Sequence, residues 1–276
     1  MSVATLEEGP LLGPSFFLSR TALRSLALAH RDSYGAARPY PHVVIDGLLG
    51  EPLASRLAGV FPGSAEARWK RRDHPEQAAR LGQLQRQAFE GVHGALRHLL
   101  AEFSSMSFID FLETLTGVQG LIPDPHFRGA GLHLTLRGGH LALHADFNRD
   151  RFRALTRRLT VLYYLNPGWE PAWGGDLELW DAGLSRCEAR IAPLLDRLVV
   201  MAHGDDYWHG HPAPLTCPEG RGRAAVAAYF YTAEASSDAP EAHSAIWAVN
   251  EDTREQSAQE HQNAEQKPRG DHRRPR

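Results

Sequence analysis

The chain is poor in cysteine and lysine and has no long apolar run, and each shortage narrows what the molecule can be. Cys187 and Cys217 are the only cysteines in 276 residues, too few for a disulfide framework. No window approaches eighteen consecutive apolar residues, so no membrane-spanning helix is expected. The N-terminus offers Glu7, Glu8, Pro10 and Pro14 where a secretory signal needs a basic start and an apolar stretch, and the expected location is the cytoplasm. A formal net charge of −3 gives no broad basic footprint, so nucleic acid is not an expected partner. Lysine occurs only as Lys70 and Lys267, so 28 of the 30 basic residues are arginines. An anion pocket in this chain therefore rests on guanidinium groups, whose fork matches a carboxylate.

What is present suffices for a sizeable core: 42% of residues are hydrophobic, and the length suits one large domain or two small ones. Residues 1–122 read as mostly helical. Apolar residues recur at helical spacing over 15–34, 51–61 and 107–115, and a long helix is expected over 77–103, with Leu81, Leu84, Phe89, Val92, Leu96 and Leu99 as its stripe. A short strand is expected over 42–49. After Pro123 and Pro125 the character changes. Six segments rich in β-branched or aromatic residues, at 132–136, 141–147, 159–165, 176–180, 198–202 and 223–232, are separated by glycine or proline. Without long helices between them they predict an antiparallel double-sheet barrel or sandwich. The fold class is thus α+β overall, a mainly β core over 123–249 with supporting N-terminal helices. From 250 to 276 alanine is the only apolar residue type, and this tail is expected to be disordered.

A histidine two residues before an acid occurs three times: at His74 and Glu76, at His144 and Asp146, and at His203 and Asp205. The first sits in a charged stretch that reads as a solvated loop. The third crowds every candidate ligand into one short segment. His144 and Asp146 fall on an expected strand, where residues two apart share a face and both side chains can reach one ion. His209 supplies a third ligand from a later segment, with His211 as its rival. Two histidines and a carboxylate leave coordination positions free, which is the ligand set of non-haem Fe(II) oxygenases. Asp205 and Asp206 are placed to orient the distal histidine.

Five strings, at 143–148, 162–166, 174–180, 208–212 and 217–223, resemble the Fe(II)/2-oxoglutarate oxygenases of the prolyl 4-hydroxylase-like superfamily, over about 123–232. The resemblance implies a double-stranded β-helix (jelly roll), with His144, Asp146 and His209 as iron ligands and Arg223 on the distal carboxylate of 2-oxoglutarate. A carboxylate carried deep into a barrel needs a buried cation in any case, and Arg221 is the rival. Tyr164 matches the family's tyrosine that hydrogen-bonds the same carboxylate. Thr160 and Leu162 share its face, and Thr135 stands where relatives often carry a tyrosine. Gly174 and Gly175 read as a turn, and His140 as a strand cap.

The implied activity is hydroxylation of an unactivated C–H bond of proline or a related amino acid, free or in a peptide or protein. O2 is the oxidant, and L-ascorbate the reductant after uncoupled turnover. Arg149, Arg151, Arg153 and Trp173 lie in loops that could meet a substrate, though solvated surface is the simpler reading. Two other classes fit the same residues: a Zn(II)-binding barrel hydrolase, and a catalytically silent binding module.

Overall fold

In the computed structural model of the protein, the described residues are 16–65, 69–83, 91–124, 126–150, 153–233 and 241–248. The expected tail lies outside them, as do Leu84, Phe89 and Arg151. Four helices form where sequence periodicity is backed by end signals. Helix α1 (Arg20–Ala36) starts at Ser19, whose hydroxyl accepts from the Ala22 N–H, and α2 (Glu51–Gly59) carries Pro52 in its first turn. Helix α3 (Gly94–Phe103) follows His93, whose ring caps Ala95 N–H. Helix α4 (Met106–Thr116) runs from Ser105, which caps Phe108 N–H, to Gly117 at φ +77°. These polar caps and the left-handed glycine satisfy helix-end groups that have no partner within the helix.

The strands are β1 (His42–Asp46), β2 (Trp69–His74), β3 (Gln77–Gln83), β4 (Ile122–Pro123), β5 (Gly131–Ala145), β6 (Arg149–Asp150), β7 (Leu155–Tyr164), β8 (Leu177–Trp180), β9 (Cys187–Ile191), β10 (Arg197–Ala202), β11 (His209–His211), β12 (Gly222–Ala233) and β13 (Ile246–Trp247). They pair antiparallel in the order β1-β10-β7-β12-β5-β11-β8-β9, with β3 and β13 also on β5. The sheet curls into a nearly closed barrel, a double-stranded β-helix. Its hinge is β5, expected as two strands but continuous. Its first part pairs with β12 and its end with β11 and β13. Between them Gly138 takes φ +76°, and a Cβ on Gly139 would come 2.7 Å from the Ala78 carbonyl oxygen.

Alternation then sorts the side chains. On β7, Leu159, Val161 and Tyr163 belong to the same core as α3 and α4, while Thr160 and Leu162 face a cavity inside the barrel. Phe103 lies 6.2 Å from Tyr163, and Phe108 6.1 Å from Phe230 on β12 (ring centroids). The helices thus cover the outer face of the barrel and leave its interior to the site.

The long helix expected over 77–103 is not formed. Residues 77–83 are strand β3, and among the described residues of this stretch only 94–103 are helical. Leu81 fits the apolar stripe of either element and is buried opposite Leu134 of β5; pairing with β5 overrides the alanine-rich helical pattern. The charged stretch around His74, read as a solvated loop, is the end of strand β2, and His74 pairs with Glu76 of the β2–β3 turn at 2.6 Å. Strands β9 and β11 carry too few β-branched residues to show in the sequence.

Phe230 is fully buried and joins β12 to the helices. Phe230→Ala is expected to cost about 3–5 kcal/mol of stability, read as a fall in the urea midpoint.

Candidate metal centre and cavity

Backbone pairing brings the three candidate ligands together. His209 of β11 lies directly opposite His144 of β5, and Asp146 follows two residues after His144. Their ligand atoms all lie within 4.8 Å of one another, the group of this kind found among the described residues. His144 Nε2 is 3.6 Å from Asp146 Oδ1, and His209 Nε2 is 3.5 Å from Asp146 Oδ2.

Both rings are oriented by backbone. His144 Nδ1 meets the Ala142 carbonyl at 2.9 Å, and His209 Nδ1 meets the Tyr207 carbonyl at 3.0 Å. A carbonyl only accepts, so each Nδ1 carries the proton and each Nε2 presents a lone pair beside the carboxylate. Burial, followed by the neighbouring His209, lowers the His144 pKa and favours this neutral form. Two imidazole lone pairs and one carboxylate fit a divalent transition metal and leave room for further ligands. Asp205 and Asp206, expected to orient the distal histidine, do not: Asp205 pairs instead with His243 at 2.9 Å, and the Tyr207 carbonyl takes that role.

Nothing in the sequence singles out Arg157. Its side chain is fully buried and its Nη2 lies 2.6 Å from Asp146 Oδ2 and 2.8 Å from Thr160 Oγ1. The guanidinium stacks 3.4 Å from the Tyr229 ring centroid and 4.7 Å from that of Phe147. Burial alone would raise the Asp146 pKa, but foremost Arg157 holds it well below the usual carboxylate range. Simple alternation from Thr160 would point Arg157 away from the barrel. The β7–β12 register skips a residue, pairing Leu159 with Phe230 but Arg157 with Tyr231, and this bulge at Arg158 turns Arg157 inward.

The ligands open onto a cavity of about 180 Å³, also lined by Thr135, Thr160, Leu162, His211, Arg223 and Ala225. Arg223 is 6% exposed. Its Nε donates to the Gly175 carbonyl at 2.7 Å, its Nη2 to the Tyr164 hydroxyl at 2.9 Å, and it lies over the Tyr164 ring at 4.8 Å. Burial raises the Tyr164 pKa, with Arg223 pulling the other way, so the phenol keeps its proton. The Gly174–Gly175 turn therefore does more than reverse the chain: its carbonyl aims Arg223. A Cβ on Gly175 would come 2.7 Å from Leu215 Cδ2.

The rivals separate by position. Arg221 donates to the Pro167 carbonyl at 2.6 Å and lines a different depression. His211 lines the metal-side cavity but is not in the ligand cluster. Tyr163 points to the helices and donates to Asp196 at 2.7 Å. His140 meets the Pro75 carbonyl at 3.2 Å. Of the loop residues, Arg153 pairs with Asp124 at 3.0 Å and Trp173 packs on Trp169, so neither is free for a substrate. The structure adds Arg72, Arg80, His133 and Trp247 to the cavity wall.

Residues 130–231 match the family profile of the 2OG-Fe(II) oxygenase superfamily, inside the stretch that carries the five strings. No curated protein matches the chain. Among solved structures, the barrel is similar to a prolyl hydroxylase from Trichoplax adhaerens, solved in complex with a peptide fragment of the hypoxia inducible factor oxygen degradation domain. That likeness has a TM-score of 0.52 at 18% identity and covers 76% of this chain and 91% of that one. A Pseudomonas putida prolyl-4-hydroxylase gives a TM-score of 0.52 at 20% identity, covering 75% of this chain and all of the other. At these identities the likeness establishes the shared fold.

Removing Arg157 leaves Asp146 without its counter-charge. Arg157→Met is expected to destabilise the metal-free protein by about 3–5 kcal/mol. A divalent metal should recover part of that loss, and urea melts with and without Mn(II) measure both effects.

Proposed function

We propose that the chain is an Fe(II)- and 2-oxoglutarate-dependent dioxygenase that hydroxylates an unactivated C–H bond of proline or a related amino acid. One observation carries this reading: two free Nε2 lone pairs and a carboxylate share one cavity with a buried arginine, and among the described residues no carboxylate lies within 4 Å of that arginine. A buried cation without a counter-ion is costly, and the distal carboxylate of 2-oxoglutarate would supply the missing charge. A water-activating zinc barrel or a silent binding module has no use for that cation.

His144, Asp146 and His209 would hold the iron. The bound metal and cosubstrate would supply the oxidising chemistry, with O2 as oxidant and L-ascorbate as reductant after uncoupled turnover. The protein's share is positioning. Arg223 would take the distal carboxylate through its remaining N–H groups, and Tyr164 would add its own hydroxyl proton to the same oxygens. Thr160 and Thr135 would line the passage between metal and guanidinium, with Leu162 and Ala225 excluding water from it. Small Ala225 leaves the width the cosubstrate needs. Arg157 keeps Asp146 ionised and fixed, so the carboxylate is ready for metal without a proton to lose.

Anaerobic titration with Fe(II) and 2-oxoglutarate tests the reading through the visible metal-to-ligand absorption band. The wild-type protein should show the band and Asp146→Ala should lose it. Arg223→Gln should keep it but need at least about tenfold more 2-oxoglutarate, the equivalent of one charge-assisted hydrogen bond. A wild-type protein without the band would sink the proposal.

A further inference from the structure

Three strand pairings put three arginines on one rung of the barrel. Arg72 of β2 lies opposite Arg80 of β3, Arg80 opposite Thr135 of β5, and Thr135 opposite Arg223 of β12. Residues directly opposite on antiparallel strands share a face, and all four line the cavity that contains the ligand cluster. Adjacent strands are about 4.8 Å apart, so the Arg80 and Arg223 backbones stand roughly 10 Å from each other. The β3–β5 register shifts between Ala78 and Arg80. There Ala79 adopts φ +46° and its N–H donates to Asp73 at 2.6 Å. A bulge of this kind re-aims a side chain, and Arg80 is the one turned into the cavity.

Arg80 is held in place without being neutralised. Its Nη1 donates to Gln77 Oε1 at 3.2 Å and its Nη2 to His133 Nδ1 at 3.0 Å. The other nitrogen of His133 meets the Gly129 carbonyl at 3.0 Å, so Nε2 carries the proton and Nδ1 is the acceptor. Burial, and then Arg80 itself, keep the His133 pKa well below its ordinary value. Both partners are therefore neutral. Burial, aided by Arg72 and Arg223 and opposed by Tyr229 and Asp146, pulls the Arg80 pKa down to about 10. Among the described residues no carboxylate lies within 4 Å of Arg72 or Arg80. Asp146 is the one carboxylate on the cavity wall, and Arg157 already engages it. His211 stands in the same wall, 3% exposed, with neither ring nitrogen hydrogen-bonded.

We propose that Arg80, with Arg72 beside it, binds a carboxylate of the substrate itself, so that the substrate is a small free acid such as an amino acid. The proposal rests on the oxygenase reading of the site, in which Arg223 is already committed to the cosubstrate. A proline or other neutral residue inside a peptide brings only amides and would leave the second cation uncompensated. A cavity of about 180 Å³ also suits a small molecule.

The test uses the full chain loaded with Mn(II) and 2-oxoglutarate, a combination that binds without turning over. The free L-amino acids, their carboxamides and their N-acetyl amides are titrated by tryptophan fluorescence, for which Trp247 stands 5.1 Å from the His144 ring. At least one free acid should bind about tenfold more tightly than its own amide, and that ratio should fall towards one in Arg80→Gln. Arg80→Lys should retain part of the preference, and 2-oxoglutarate affinity should stay nearly unchanged in both variants. Equal binding of acid and amide, a ratio that survives in Arg80→Gln, tightest binding by a blocked residue, or no binding from the panel would each overturn the proposal. If the wild-type protein fails to bind Mn(II) and 2-oxoglutarate at all, the oxygenase reading fails instead.

Discussion

The site depends on one pairing, His209 opposite His144, made by the three-residue strand β11. Side chains alternate along a strand, so a slip of one residue would turn the second imidazole out of the barrel. So short a strand has little pairing of its own to fix its place. Close packing fixes it instead: a Cβ on Gly210 would come 2.7 Å from the carbonyl oxygens of Leu141 and Ala142. Only glycine lets β11 settle that near β5, and any shift would bring a histidine into the same gap. On the other side β8 pairs His209 with Leu179, so the strand is held from both edges.

Charge is the second constraint. Among the described residues the cavity wall carries one carboxylate and three arginines, with a fourth arginine behind the carboxylate. Within a low-dielectric barrel such an excess is unfavourable unless the molecule normally works with anions bound. A divalent metal shifts the balance further towards positive, and a dianionic cosubstrate restores only part of it. Viewed this way, Arg223 and Arg80 are two ends of one requirement, separated on the rung by neutral Thr135.

The strands that carry His144, Tyr164 and Arg223 were legible because glycine and proline mark their ends and because His144 and Asp146 obey the period of two. Arg223 and Tyr164 were reachable through the family resemblance, and alternation then set Thr160 and Leu162 on the face of Tyr164. What escaped the sequence lies where alternation breaks. Arg157 follows a bulge in β7 and Arg80 follows one in β3, so counting by twos assigns the first to the wrong face, and reading 77–103 as a helix hid the second. Local pattern cannot reveal a bulge whose cause is the partner strand. The helical reading failed for a related reason, since Leu81 satisfies both periods and only pairing with β5 decides between them.

The near-absence of lysine acquires meaning at these positions. Arg157 lies against the Tyr229 ring, with the nearly perpendicular Phe147 ring beside it, while one edge meets Asp146, a geometry that a planar, delocalised cation can adopt and a compact ammonium cannot. Arg223 uses separate N–H groups for the Gly175 carbonyl and the Tyr164 hydroxyl, and a guanidinium still has others to offer a ligand. Arg80 repeats the arrangement with Gln77 and His133. An ammonium placed there would spend most of its three donors on the same neutral acceptors and, when buried, could shed its proton. Each of these three positions therefore needs a group that stays charged, grips its own supports and keeps donors free, and among the twenty side chains only arginine meets all three conditions.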